Sequence, residues 1–193
     1  MDKWINTFNS IAPSKHRYDI FRDFVIASAL GFHNEFMRCL NNQKLPGWCN
    51  KYEQEFISIH NSYDKEDRNK FLLLFHSLVD LLDDKPWDVL GTLYMKMELS
   101  NKHTGQFMTP SDVSELMAKM SFEVKKPFTT LSDPCCGTGG FPLACANLII
   151  QKKLIPAYKL WIQAIDVDRV MGYGLCLLPT IISLECPWRG DCG

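Results

Sequence analysis

At 193 residues, with 46% hydrophobic and 12% aromatic content, the chain can hold one sizeable domain or two small ones around a packed core, which excludes wholesale disorder. Its 21 Lys+Arg stand against 22 Asp+Glu, a formal net charge of −1. A chain-wide basic surplus is therefore excluded, and any DNA contact has to use a local basic patch or a partner.

The first hundred residues read as a helical domain. Ile20/Phe21, Phe24/Val25 and Phe32 recur at helical spacing, as do Tyr52, Phe56 and Ile59, and then Phe71, Phe75, Leu78 and Leu82. Leu45-Pro46-Gly47 and Asp84-Lys85-Pro86 supply helix-ending chemistry between them. A further helix is predicted from Trp87 to about Leu99, burying Leu90, Leu93, Tyr94 and Met97. The polar stretch Ser100-Asn101-Lys102-His103 suits a linker, which sets domain bounds of 1–100 and 101–193. Thr109-Pro110-Ser111-Asp112 then resembles a helix start, with Thr109 as cap, Pro110 in the first turn and Asp112 closing a capping box. Val113, Leu116, Met117 and Met120 are the expected buried stripe.

From Pro127 the pattern alternates between strand and helix. Thr129 to Asp133 reads as a strand, Phe141 to Gln151 as a helix, Leu160 to Asp166 as a second strand and Arg169 to about Leu178 as a second helix. A third strand is expected around Thr180 to Leu184. Such alternation predicts an α/β region built on a parallel sheet.

Between the first strand and its helix lies Asp133-Pro134-Cys135-Cys136-Gly137-Thr138-Gly139-Gly140-Phe141. Glycines permit positive φ and close backbone approach to a ligand. The loop leaves the carboxyl end of a parallel strand, where open α/β sheets bind ligands, and the free amides of the next helix suit a carboxylate. No Lys-Ser/Thr follows Gly140, which excludes a P-loop, and the dinucleotide fingerprint is incomplete.

This nine-residue string resembles the S-adenosylmethionine (SAM) motif of adenine-N6 DNA methyltransferases, especially the modification subunits of type I restriction systems. Two upstream segments agree: Thr104-Gly105-Gln106-Phe107-Met108-Thr109-Pro110 and Asp88-Val89-Leu90-Gly91-Thr92-Leu93-Tyr94. The resemblance covers roughly residues 86 to 170 and implies a Rossmann-like SAM-dependent methyltransferase core, a partial parallel sheet preceded by the α-helical domain. It implies that Asp133, Pro134 and the loop Cys136, Gly137, Thr138, Gly139, Gly140 and Phe141 hold the amino-acid part of SAM. Phe107, Thr109 and Pro110 would close over the methionine end. Asp166 aligns with the acid that grips ribose hydroxyls, and Ile165 and Val167 would flank the adenine. Asp168 reads instead as a helix cap, and Thr109 serves equally as cap or ligand contact. Cys135 and Cys136 read as packing residues, since methyl transfer from a sulfonium needs no covalent enzyme intermediate.

The resemblance further implies transfer of the SAM methyl group to adenine N6 in DNA, with DNA, a specificity subunit and a second copy of the chain as partners. The catalytic [ND]-P-P-[YFW] segment has no match; Pro187-Trp188 lacks the Asn/Asp and the second proline and reads as a loop. The alternative is therefore an inactive SAM-fold module that binds a restriction-modification partner. Five scattered histidines lack metal-ligand spacing, and the Lys125-Lys126 and Lys152-Lys153 pairs are either phosphate contacts or solvated surface. The eight cysteines form no CxxC pair, and no secretory or membrane-length apolar run is visible. A soluble, reduced, cytoplasmic protein with no membrane partner is expected.

Overall fold

The computed structural model describes residues 1–41, 50–83, 87–99, 107–125, 127–177 and 183–184. The Leu45-Pro46-Gly47 and Asp84-Lys85-Pro86 breaks, the linker at 100–103, Thr104-Gly105-Gln106, and Pro187-Trp188 lie outside the described residues. The chain divides into two compact units between Ser77 and Leu78. The change in sequence character falls further along, near residue 100. The difference arises because Leu78, Leu82 and Leu90 line one small cavity with Thr138 and Leu143, which belong to the α/β part.

The first unit is helical: α1 (Asp2–Asn9), α2 (Arg17–Asn41), α3 (Asn50–Asn61) and the start of α4 (Lys65–Asp83). Ile20, Phe21, Phe24 and Val25 of α2 are all buried, as the helical spacing requires, whereas Phe32 is 41% exposed. Trp4 stacks on Phe8 with ring centroids 5.4 Å apart and donates its Nε1–H to the Leu74 carbonyl at 3.1 Å. Asp23 is buried but accepts from the Tyr63 hydroxyl at 2.8 Å, so its polar group is satisfied.

The second unit runs α5 (Val89–Lys96), α6 (Ser111–Ser121), β1 (Thr129–Asp133), α7 (Gly140–Gln151), a 3₁₀ turn at Pro156–Tyr158, β2 (Leu160–Ala164), α8 (Arg169–Cys176) and β3 (Ser183–Leu184). The strands form a parallel sheet in the order β1-β2-β3, with Thr129 opposite Leu160 and Asp133 opposite Ala164. The third strand is only two residues long and pairs Ser183 with Trp161. Leu143, Cys145, Ala146 and Ile149 of α7 pack with Leu160 and Ile162 of β2 and with Leu175 of α8. At roughly 1.5–3 kcal/mol for each large apolar side chain removed from water, this layer dominates the unit's stability. No helix among the described residues is long and apolar enough to cross a membrane.

Helix α6 departs from the sequence reading in two ways. It begins at Ser111 with Pro110 as N-cap and no side-chain cap bond, so neither the Thr109 cap nor the Asp112 capping box forms. Its buried face is Ser114 (1% exposed) and Ala118 (0%), whereas Val113, Leu116, Met117 and Met120 are 45% to 79% exposed. Close helix contact explains the inversion. Helix α6 lies along α7, and a Cβ on Gly140 would sit 3.1 Å from Ser114 Oγ. Only small residues at i and i+4 fit that approach, so the larger apolar side chains take the outer face.

Enlarging the inner face is therefore predicted to cost more than trimming the outer one. Ala118→Leu should destabilise the protein by about 1–3 kcal/mol in urea unfolding, and Leu116→Ala by less than about 0.5 kcal/mol. Equal losses for the two variants would show that the helix presents the other face.

Candidate functional site: a glycine-loop cavity

The loop after β1 is tied at several points before α7 begins. Asp133 Oδ1 accepts from the Cys135 amide at 3.1 Å, closing a local turn at the strand end. Pairing with β2 continues past the strand: Ile165 N donates to Asp133 O at 2.8 Å, and Cys136 N donates to Ile165 O at 3.0 Å. Gly137 (φ +53°) and Gly139 (φ +97°) occupy the left-handed region. A side chain on Gly139 would also run into Leu175, so that position is closed by conformation and by space.

Two carboxylates hold this loop from outside it. Asp166 accepts from Gly137 N through Oδ2 at 2.8 Å and from Asp168 N through Oδ1 at 2.8 Å. Asp88, only 6% exposed, accepts from the Thr138 hydroxyl through Oδ2 at 2.8 Å and from Gly91 N through Oδ1 at 2.7 Å, which makes it the N-cap of α5. Gly91 has to be glycine here, because a Cβ would lie 2.5 Å from Thr138 Oγ1. Asp168 accepts from Val170 N at 2.9 Å and caps α8, in line with the capping role read for it.

A cavity of about 370 Å³ opens beside the loop, a size typical of small-molecule sites. Phe107, Thr109, Asp133, Pro134 and Phe141 line it with the loop residues Cys136, Gly137, Thr138 and Gly140. Pro110, Gly139, Asp166 and Val167 do not border it. Pro110 starts α6, Gly139 backs onto Leu175, Asp166 spends its carboxylate on loop and turn amides, and Val167 is 101% exposed. Ile165, also read as an adenine neighbour, is 51% exposed and absent from the lining.

Other lining residues were not read from the sequence as cofactor contacts: Asp88, Met108, Met117, Ser132 and Cys135. Asp88 had a signal, the Asp-x-x-Gly spacing that lets a carboxylate cap the amide three residues on. The others are brought to the cavity by how α6, β1 and the loops meet, which no local pattern encodes. Cys136 is buried in the core, as a packing thiol should be, but Cys135 is exposed and faces the cavity.

Burial raises the Asp88 carboxyl above its ordinary range, opposed by the Gly91 amide and the Thr138 hydroxyl. Asp133 is raised by burial and by the nearby charge of Asp166, against the Cys135 amide. Behind the loop, burial and then Asp133 push the Cys145 thiol up to about 12, which makes it an inert packing group. The cavity lining thus has two carboxyls and no Lys, Arg or His among the described residues. Gly139 brings no side chain to the start of α7, whose first amides have no acceptor within the helix. The arrangement suits a ligand that combines a positive centre, an apolar part between Phe107 and Phe141, and an anionic group for the helix end.

Compared with known families, residues 87–182 match the model for N-6 DNA methylase. Nothing matches among curated proteins or among solved structures.

Two outcomes follow from the loop geometry. Gly139→Ala should lose more than about 1 kcal/mol of stability in urea, because it combines left-handed strain with the Leu175 collision; a neutral result would remove the conformational argument. The pH dependence has a defined sign. An unfolded aspartate titrates near ~4, and Asp88 keeps its proton to higher pH when folded. Its protonation favours the folded state at low pH, and that contribution is lost as pH rises through the raised value. Asp88→Asn, which preserves a good N-cap residue, should therefore flatten the fall in urea midpoint that sets in as pH rises above about 4. An unaltered slope would show that the buried carboxyl does not titrate in this way.

Proposed function

We propose that residues 87–182, which belong to the N-6 DNA methylase family, form the SAM-binding part of a DNA adenine-N6 methyltransferase. The observation that carries this reading is the cavity at the carboxyl end of β1, bordered by the glycine loop, Asp133, Phe107 and Phe141. The parallel order β1-β2-β3, with the glycine loop after β1 at one edge of the described strands, supports a Rossmann-like core. It corresponds to one side of a doubly wound sheet read outward from its switch point.

The lining fits this cofactor chemically. SAM carries an ammonium, a carboxylate and a sulfonium, and when bound it supplies an activated methyl group. On this reading Asp133, at the strand end, accepts from the ammonium. Gly137 and Gly140 bring the loop backbone to the cavity without side chains, and the opening amides of α7 suit the carboxylate. Phe107 and Phe141 would supply the apolar contact for the stem. Asp166 stands at the end of β2, where doubly wound folds keep the ribose-binding acid, and Val167 follows it. Pro110 fixes the entry to α6 and thereby the position of Thr109. Target DNA, a specificity subunit of a restriction-modification system and a second copy of the chain are the partners this reading entails, in a cytoplasmic setting.

A module that binds SAM without transferring its methyl group uses the same cavity, and two measurements separate the readings. Calorimetric titration should detect SAM binding by the full chain, weakened at least about tenfold by Asp133→Ala. No heat at millimolar SAM would sink the cofactor assignment. Incubation with methyl-labelled SAM and DNA should then yield N6-methyladenine on nucleoside analysis. Binding without incorporation would favour the module.

A further inference from the structure

We propose that Asp88 is a positioning residue of the SAM site, acting through Thr138 to set the glycine loop in its ligand-binding shape. The proposal rests on the SAM reading of the cavity, but the geometry behind it is independent of the ligand. Thr138 lies between the two left-handed positions, Gly137 and Gly139, so a bond to its side chain restrains the chain between them. It is 3% exposed and enclosed. Met108 Sδ lies 3.8 Å from its hydroxyl, and a Cβ on Gly174 of α8 would approach its Cγ2 to 3.5 Å. Within that enclosure the hydroxyl donates to Asp88, whose other oxygen is committed to Gly91 N.

The carboxylate therefore joins the N-terminus of α5 to the centre of the loop. Asp166 makes the matching tie on the other side, through Gly137 N. Backbone bonds already turn the loop, Gly139 N to Cys136 O at 2.9 Å among them, but they leave the Thr138 side chain unheld. The Asp88 tie adds the side-chain restraint at the loop's centre, which lowers the ordering cost that a ligand meets on binding. Gly140, the first residue of α7, is also close to this group: a Cβ there would lie 3.4 Å from Asp88 Oδ2. With 6% exposure, Asp88 presents little of itself to a ligand, so its influence passes through the loop.

The test compares Thr138→Val, which removes the hydroxyl at nearly constant volume, with Thr138→Ser, which restores it, alongside Asp88→Ala and the Asp88→Ala/Thr138→Val double variant. In the ligand-free full chain, hydrogen exchange of the 133–141 segment should rise about tenfold in Thr138→Val and return to within about threefold of wild type in Thr138→Ser. SAM affinity should fall about tenfold in Thr138→Val and in Asp88→Ala and stay near wild type in Thr138→Ser, and the double variant should be no weaker than the weaker of the two impaired singles. Unchanged loop exchange in a folded Thr138→Val protein, or additive affinity losses in the double variant, would overturn the proposal. If Asp88→Ala does not fold, the Thr138→Val and Thr138→Ser pair decides, since both keep the α5 cap. A wild-type chain that binds no SAM would overturn the cofactor reading, and with it the ligand role of Asp88, while the exchange measurement still reports whether Asp88 holds the loop.

Discussion

The backbone has to leave β1 at Asp133, turn through left-handed positions at Gly137 and Gly139, and enter α7 at Gly140, and the rest of the second unit is arranged around that turn. Glycine makes the conformation possible but also makes it loose, because a residue without Cβ has many other places to go. The shape comes from ties supplied by elements distant in sequence. Asp166 holds one amide and Asp88 the central hydroxyl, while Leu175 fills the space that a side chain at 139 would need. Three short segments therefore have to be in place before the loop has one conformation.

This dependence accounts for what the sequence disclosed and what it concealed. The strand from Thr129 to Asp133 and the helix after the glycines were legible because local pattern and burial agree there. The capping role of Asp168 was legible for the same reason: a carboxylate two residues before an open helix amide is a local relation. Asp166 was read as a ribose contact from its place at a strand end. Its engagement with Gly137 depends on how two segments 29 residues apart meet, and periodicity carries no information about that. Asp88 shows the same divide. Its cap on Gly91 follows from spacing, whereas its bond to Thr138, 50 residues away, does not.

Helix α6 shows where hydrophobic patterning misleads. Large apolar residues usually mark the buried stripe, and Val113, Leu116, Met117 and Met120 recur at suitable spacing. The rule assumes that the partner helix leaves room for them. Helix α7 presents Gly140 to Ser114, and at that separation the inner face has to be small. Tight packing at Ser114 and Ala118 won over burial of larger surface elsewhere on the helix. Met117 still contributes to the cavity lining from the flank of that face, which puts α6 next to the site as well as behind it.

The carboxylate at the end of β2 illustrates how the loop ties and ligand recognition can share atoms. Both oxygens of Asp166 already accept from backbone amides, one on the loop and one on the turn into α8. Each carboxylate oxygen also has a second lone-pair site beyond the amide it accepts from. The amide from Gly137 orients the carboxyl plane, and the amide from Asp168 opposes its rotation. An acid held in this way has lost the side-chain freedom that an unbonded aspartate keeps. The same two bonds that stiffen the glycine loop therefore also preorganise the acid beside it, so loop shape and acid orientation are a single structural variable rather than two.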